Sequence, residues 1–213
     1  MKFYEVLEAD ECRQIVETLN ENEWQKGIAN SKIPTGKVKQ NLELQYFDND
    51  VIKDLVTDVH QKVLDHPEIA DDHLVRQVIV PKFNKYVNGG NYGPHADAGL
   101  MMGRIRTDVA MTLFLNDDYE GGELICGGLK FKGNPGTAVV YDCWRTHEVT
   151  PVTKGERICA ITWMQSWIAD PEQRELIRMF RSSLADIDRS SDEQRLYPNL
   201  SSIYGKLIRM WAA

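Results

Sequence analysis

The residues of this sequence best placed to do metal chemistry are His95 and Asp97. Two positions apart in an extended segment, their side chains leave the same face and can reach one ion together. A third ligand must come from elsewhere. Of the other histidines, His60 lies in a predicted helix and His66 and His73 flank its polar exit, whereas His147 follows a predicted strand, Thr137–Tyr141, in the same β-rich region as His95. Two neutral imidazoles and one carboxylate on one side of a metal leave the opposite positions open, the ligand set associated with non-haem Fe(II) sites that activate oxygen. Zinc also accepts three protein ligands and a water, so a hydrolase is a second reading. Taken singly, His-x-Asp also reads as a turn hydrogen bond and His147 as an ordinary strand-end residue.

Ten positions after His147, Arg157 opens the apolar run Ile158–Trp167. A permanently charged guanidinium at the head of a buried strand needs an anion. That anion is either a ligand carboxylate or a structural partner such as Glu156 or Glu148.

The elements that must position these groups divide the chain in two styles. Cys12, Ile15, Val16 and Leu19 recur at helical spacing behind Asp10, a candidate N-cap, and Val51, Ile52, Leu55, Val56, Val59 and Val63 repeat the pattern behind Asn49 and Asp50. From Val75 to Ile168, short β-branched and aromatic runs alternate with Gly, Pro, Asn and Asp. Strands are predicted near Val75–Val87, Thr107–Leu115, Glu123–Ile125, Leu129–Phe131, Thr137–Tyr141 and Arg157–Trp167, a spacing that suggests a β-sandwich or barrel. Asp170-Pro171-Glu172-Gln173 then starts a helical tail, and the apolar spacing resumes after Pro198, predicting a helical pair. Trp24 to Leu42 holds four lysines, Lys26, Lys32, Lys37 and Lys39, with no acidic residue, and reads as a mobile basic loop.

With 213 residues and 42% hydrophobic composition, the chain can bury a substantial core. A formal charge of −7 argues against a surface built for phosphate backbones, so no nucleic-acid partner is expected. No uncharged apolar run approaches the roughly 20 residues that span a bilayer. Four cysteines without a Cys-x-x-Cys pair, and acidic residues from Glu5 onward, suit a soluble protein of the reducing cytoplasm.

Several strings in this sequence occur together in a known order. They are Tyr86-Val87-Asn88-Gly89-Gly90-Asn91-Tyr92-Gly93-Pro94-His95-Ala96-Asp97, Arg106-Thr107-Asp108, Tyr119-Glu120-Gly121-Gly122-Glu123-Leu124, the run from His147 to Arg157, and Trp163-Met164-Gln165-Ser166. In that order they resemble the prolyl 4-hydroxylase branch of the Fe(II)- and 2-oxoglutarate-dependent oxygenases, most closely the bacterial and phage PKHD-type hydroxylases. The resemblance covers most of the chain, including the helical tail with Tyr197-Pro198 and Trp211. It implies a mostly β fold with supporting helices: a double-stranded β-helix over residues 1–168, with a helical C-terminal extension over 169–213 packed on the barrel. Carried over residue by residue, His95, Asp97 and His147 match the catalytic metal ligands. Arg157 matches the residue that pairs with the far carboxylate of 2-oxoglutarate, and Tyr86 a tyrosine hydrogen-bonding the same group. Trp163, on the same strand face as Arg157, is either an indole wall of the pocket or core, and Tyr92 and Phe114 either narrow the cavity or are core.

The implied cofactors are Fe(II), 2-oxoglutarate as co-substrate and O2, with ascorbate as a reductant. The implied substrate is a prolyl or other residue of a protein, or a small molecule. The run His95-Ala96-Asp97-Ala98-Gly99 departs from the Val or Ile between ligands, followed by Asn-Ala, of many PKHD-type chains. That change alters the rim beyond Asp97. The loop Trp24–Leu42 occupies the place where prolyl hydroxylases have a flexible segment that folds over bound substrate. Beside a hydroxylase stand two other readings: a non-catalytic sensor of iron and 2-oxoglutarate, and a zinc hydrolase, to which Arg157 would be of no use.

Overall fold

The computed structural model describes residues 1–27, 39–44, 49–189 and 196–213. Its centre is an eight-stranded, largely antiparallel sheet. Strands β1 (Lys2–Glu5), β14 (Thr137–Asp142), β10 (Val109–Phe114), β17 (Glu156–Ser166), β6 (Lys82–Val87), β4 (Leu42–Glu43) and β2 (Gln25–Lys26) follow one another across it, and β5 (Val75–Val78) lies alongside β17. A second sheet of five strands runs β13 (Leu129–Phe131), β12 (Leu124–Cys126), β15 (His147–Val149), β7 (Asn91–His95) and β3 (Lys39–Gln40). Two ribbons, β8 (Leu100–Met101) with β9 (Ile105–Arg106) and β11 (Glu120–Gly121) with β16 (Val152–Lys154), complete the β structure of the described residues.

Strand β17 shows how the sequence divides the interior. Its eleven residues alternate between two faces, as a strand must. Ile158, Ala160 and Met164 join Cys12, Ile15 and Leu19 of helix α1 (Ala9–Asn20) and Ile52, Val56, Val59 and Val63 of helix α2 (Asp50–Leu64) in one core. Cys159, Ile161 and Trp163 face the other way and pack with Tyr86, Phe114, Leu124 and Val149 between the two sheets. One sheet is therefore backed by helices and the other closes over its inner face, the arrangement of a double-stranded β-helix. A one-residue slip of β17 would send Arg157 into the helix-facing core, which is why the register is strongly specified.

Several expectations need correction. Asp10 is not the cap of α1; it lies in the first turn, and the cap is Glu8, whose N–H donates to Glu11 at 2.8 Å. The predicted strand Val75–Val87 breaks into β5 and β6 at Ile79–Pro81, where proline has no N–H to give a ladder. A short helix α3 (Pro67–His73), with the His66 ring accepting from the Ile69 N–H, stands where only a polar exit was read. The flanks of the basic stretch Trp24–Leu42 are paired strands rather than loop, while 28–38 lie outside the described residues. Asn49 caps α2 as expected, accepting from the Ile52 N–H at 3.1 Å.

The helical tail forms as a pair, α4 (Pro171–Arg189) and α5 (Tyr197–Trp211), with Asp170 accepting from the Gln173 N–H at its start. Phe180 and Tyr204 stack between the two helices. Arg174 ties α4 to the barrel, donating to Asp142 at 2.8 Å and to the Ile168 and Ala169 carbonyls. No helix among the described residues is long and apolar enough to cross a membrane.

Candidate active site

The second sheet brings the two histidines together. His95 ends β7, His147 begins β15, and the two are direct register partners. Each imidazole is held by its own chain: Nδ1 of His95 lies 2.8 Å from the Gly93 carbonyl, and Nδ1 of His147 lies 2.9 Å from the Arg145 carbonyl. A carbonyl only accepts, so in both rings Nδ1 carries the proton and Nε2 presents its lone pair, the tautomer a metal requires. Tyr92 stacks flat on His95 at 3.5 Å between ring centres, and Tyr141 meets His147 edge-on at 4.9 Å. Together these contacts leave neither ring free to turn.

Asp97 follows two residues beyond His95, with its N–H donating to the Cys143 carbonyl. Its Oδ2 is buried without a hydrogen-bond partner, 3.8 Å from Nε2 of His147. One donor atom from each of His95, Asp97 and His147 lies within 4.8 Å of the others, a cluster that could hold a metal ion. Burial pushes the Asp97 carboxyl above its ordinary pKa, against the opposing pull of His147 and the Trp163 indole. Burial, reinforced by His147, lowers His95 to about 4, so His95 is neutral at pH 7. A buried carboxylate with one bare oxygen beside two fixed lone pairs is an unfavourable arrangement unless a cation completes it.

Arg157 lies deeper in the same interior. It is 1% exposed, the largest side chain so fully buried among the described residues. Its Cα is the register partner of Tyr86, whose ring lies 5.1 Å from the guanidinium carbon, and Phe114 lies 5.5 Å from it on β10. Its NH1 donates to Cys159 Sγ at 3.0 Å, and its Nε has no partner. Neither carboxylate considered for it is used. Glu156 pairs with Lys85, and Glu148 alternates with the inward-facing His147 and Val149. Among the described residues no carboxylate pairs with Arg157.

Trp163 packs against this inner cluster, close enough to Asp97 to favour its ionised form. The histidines set aside on sequence grounds are engaged elsewhere: His60 with the Val78 carbonyl, His66 at the cap of α3, and His73 with the Tyr4 hydroxyl. Sequence reasoning missed Tyr119. It sits in the connection after β10, and its hydroxyl is buried, which disfavours its ionised form against the opposing effect of the adjoining Arg157 guanidinium. No periodicity singles out a loop tyrosine, so only its place in a family string drew notice to it.

Residues 81–165 match the family model of the 2OG-Fe(II) oxygenase superfamily. A PKHD-type hydroxylase of Shewanella sp. strain MR-7 is 32% identical, the alignment covering 97% of this chain and 96% of that protein. Another, of Hyphomonas neptunium, is 33% identical over 98% and 96%. Among solved structures, a Pseudomonas putida prolyl-4-hydroxylase superposes with a TM-score of 0.55 at 17% identity, covering 78% of this chain and 91% of that one. A Trichoplax adhaerens prolyl hydroxylase, solved with a hypoxia inducible factor peptide fragment, gives 0.57 at 15% identity over 82% and 86%. The structural likeness establishes the double-stranded β-helix, and the sequence likeness over nearly the whole chain establishes kinship. This chain belongs to the PKHD-type hydroxylases of the 2OG-Fe(II) oxygenase superfamily and is a hydroxylating oxygenase.

Proposed function

We propose that this oxygenase hydroxylates a residue of a peptide or protein, a prolyl ring first among the candidates, with Fe(II) on His95, Asp97 and His147 and the far carboxylate of 2-oxoglutarate on Arg157 and Tyr86. The observation that carries the co-substrate assignment is Arg157 itself, a fully buried cation with no carboxylate paired to it among the described residues, in the same interior as a three-ligand cluster. A zinc hydrolase has no use for that guanidinium. A dicarboxylate co-substrate has: one end must lie near the cluster and the other needs a buried cation.

When bound, iron with 2-oxoglutarate and O2 supplies the oxidation, converting the co-substrate to succinate and CO2 while one oxygen atom enters a substrate C–H bond. The chain supplies geometry. The Gly93 and Arg145 carbonyls fix the ring tautomers, and Tyr92 and Tyr141 fix the ring planes. Arg157 and Tyr86 orient the co-substrate from its far end, and Trp163 walls the space beside Asp97. The apolar surroundings of Phe114, Val139 and Tyr141 keep water away from the reacting centre. Ascorbate would serve in this reading as a reductant for the iron site.

A peptide substrate is favoured by the Trichoplax neighbour, which holds one. The test is incubation with Fe(II), ascorbate, 2-oxoglutarate and a library of proline-containing peptides, reading succinate and a mass gain of one oxygen atom. Oxygen gain on proline, matched by succinate, supports the reading. Succinate without any modified peptide moves the substrate to a small molecule, and no succinate under any condition favours the sensor.

A further inference from the structure

The two histidines of the cluster are held through their rings, but Asp97 is not. Its Oδ2 has no hydrogen-bond partner, so the carboxylate is aimed by its own backbone and by the neighbouring Trp163 indole. That backbone has little else to fix it. Residues 96–99 follow β7 and belong to neither a helix nor a strand, and Ala96, Ala98 and Gly99 are exposed. A Cβ built on Gly99 would meet nothing within 4 Å. Packing of these small residues therefore cannot set where Asp97 stands.

Hydrogen bonds from two other parts of the barrel do. The Asp97 N–H donates to the Cys143 carbonyl at 3.2 Å. On the other side of Asp97, Thr107 takes the next two carbonyls: its hydroxyl donates to that of Ala98 and its N–H to that of Gly99 at 3.2 Å. The two clamps form one unit, because the Cys143 N–H donates to the Asp108 carbonyl at 3.1 Å and the Thr107 hydroxyl also hydrogen-bonds the Cys143 thiol. The Asp108 carboxylate in turn accepts from the Ser166 N–H at 2.8 Å and from Nε of Arg106, which also donates to the Ser166 carbonyl through NH2. Thr107 is thus buried between β9 and β10 on a frame fixed to the end of β17.

We propose that Thr107 is a positioning residue for Asp97, holding the segment that carries this carboxylate so that it meets the same ion as His95 and His147. The inference rests on the ligand set proposed above and adds the group that keeps it in register. Threonine suits the task. One residue reaches two consecutive carbonyls with its hydroxyl and its N–H, and the branched side chain is stiff, so the hydroxyl is held where it is needed. Groups that orient a ligand without touching the metal are worth about 10–100-fold in metal affinity.

The experiment titrates Fe(II), without oxygen, into the full chain as wild type, Thr107→Val, Thr107→Ala, Thr107→Ser, Thr162→Val and Asp97→Asn, and melts each protein metal-free. Thr107→Val keeps the shape of the side chain and loses the hydroxyl. Thr162 provides a matched control: its buried hydroxyl also donates to a carbonyl, that of Ile79, but on the helix-facing side of β17. Iron affinity should fall about tenfold in Thr107→Val and in Thr107→Ala. Thr107→Ser, which keeps the hydroxyl, should bind iron as wild type does. So should Thr162→Val, even though its melting temperature falls at least as far as that of Thr107→Val.

Wild-type iron affinity in Thr107→Val and Thr107→Ala alongside a large loss in Asp97→Asn overturns the role of Thr107 and leaves the ligand set standing. Wild-type affinity in Asp97→Asn overturns the ligand set itself, and the inference with it. A loss in Thr107→Val that Thr107→Ala does not share comes from the added methyl. A loss of equal size in Thr162→Val, or one that serine fails to restore, comes from a general loosening of the barrel. Each of these also overturns the inference. Should Thr107→Val not fold, Thr107→Ala against Thr107→Ser carries the same comparison.

Discussion

The imidazoles of His95 and His147 face each other across two adjacent strands, 4.2 Å apart between ring centres, and each is pinned through Nδ1 to a carbonyl two residues earlier in its own chain. The same i to i−2 contact recurs on both strands, so backbone carbonyls orient both rings. Asp97 completes the cluster at a cost, since its bare oxygen is buried.

That cost sets a prediction for Asp97→Asn. Removing the negative charge relieves a buried group that no partner compensates, so the metal-free protein should melt at the same temperature as wild type or higher. Fe(II) affinity should fall at least tenfold and turnover should disappear, because the site loses its one anionic ligand. Metal titration and thermal melting on one preparation provide both readings. Wild-type iron affinity in the variant would remove Asp97 from the ligand set.

The parts of this fold that were legible are those where one physical pattern dominates. Strands β10, β14 and β17 declare themselves through continuous apolar runs, and α2 through its spacing and Asn49. Strands β7 and β15 are harder to see because their residues are chosen for the site: Asn91, Gly93, Pro94, His95 and His147-Glu148 carry little β-propensity. Helix α3 has only seven residues and one buried side chain, too short for a period to show. The pairing of His95 with His147 depends on how the chain turns from β14 into β15, a long-range fact with no local trace. So does the isolation of Arg157, since Glu156 beside it in sequence turns out to serve Lys85.

His73 predicts how stability depends on pH away from the metal cluster. Burial, outweighing Asp72 and reinforced by Arg174 and Lys2, lowers its pKa to about 4, while Asp142 acts with Asp72 in the opposite direction. The unfolded chain, with an ordinary histidine near 6.5, therefore binds a proton that the folded chain refuses between those values. This contribution is intact above about pH 6.5 and is lost as pH falls toward 4, in total roughly 3 kcal/mol. Urea unfolding of metal-free protein at pH 7 and pH 4.5 should show a smaller acid loss in His73→Gln than in wild type. Equal losses would mean that His73 titrates normally in the folded protein.

Arg174 predicts how the helical tail is held. Its guanidinium is 5% exposed and satisfies Asp142 at the end of β14 as well as two carbonyls before α4. Arg174→Ala leaves both carbonyls short of a donor and Asp142 with Arg145 alone, and should cost about 3 kcal/mol, the low end for breaking a buried pair because Asp142 keeps some water and its second ion pair. Hydrogen exchange should rise first in the opening turns of α4 and leave β10 and β17 protected. Uniform loss of protection would show instead that the tail and barrel unfold as one unit.

Arg157 offers the sharpest separation of stability from function. A buried cation without an anion is a burden on the free protein, and exchanging such a group for an apolar one of similar volume is often neutral or stabilising, by about 1–4 kcal/mol. Arg157→Met keeps a long, flexible side chain against Tyr86 and Phe114 and gives up the weak donation to Cys159, the cation's place over the two rings and its interaction with the Tyr119 hydroxyl. The free variant should therefore melt no lower than wild type. With Fe(II) present and oxygen excluded, 2-oxoglutarate at a concentration 100 times its wild-type dissociation constant should stabilise wild type by about 2.7 kcal/mol. The variant should gain almost none of this, since the far carboxylate would then lie against a thioether. Melting curves with and without 2-oxoglutarate on the two proteins measure both halves. A free variant that melts well below wild type would show Arg157 to be a structural pillar whose charge is already compensated. A variant still stabilised by 2-oxoglutarate to the wild-type extent would place the co-substrate elsewhere in the barrel.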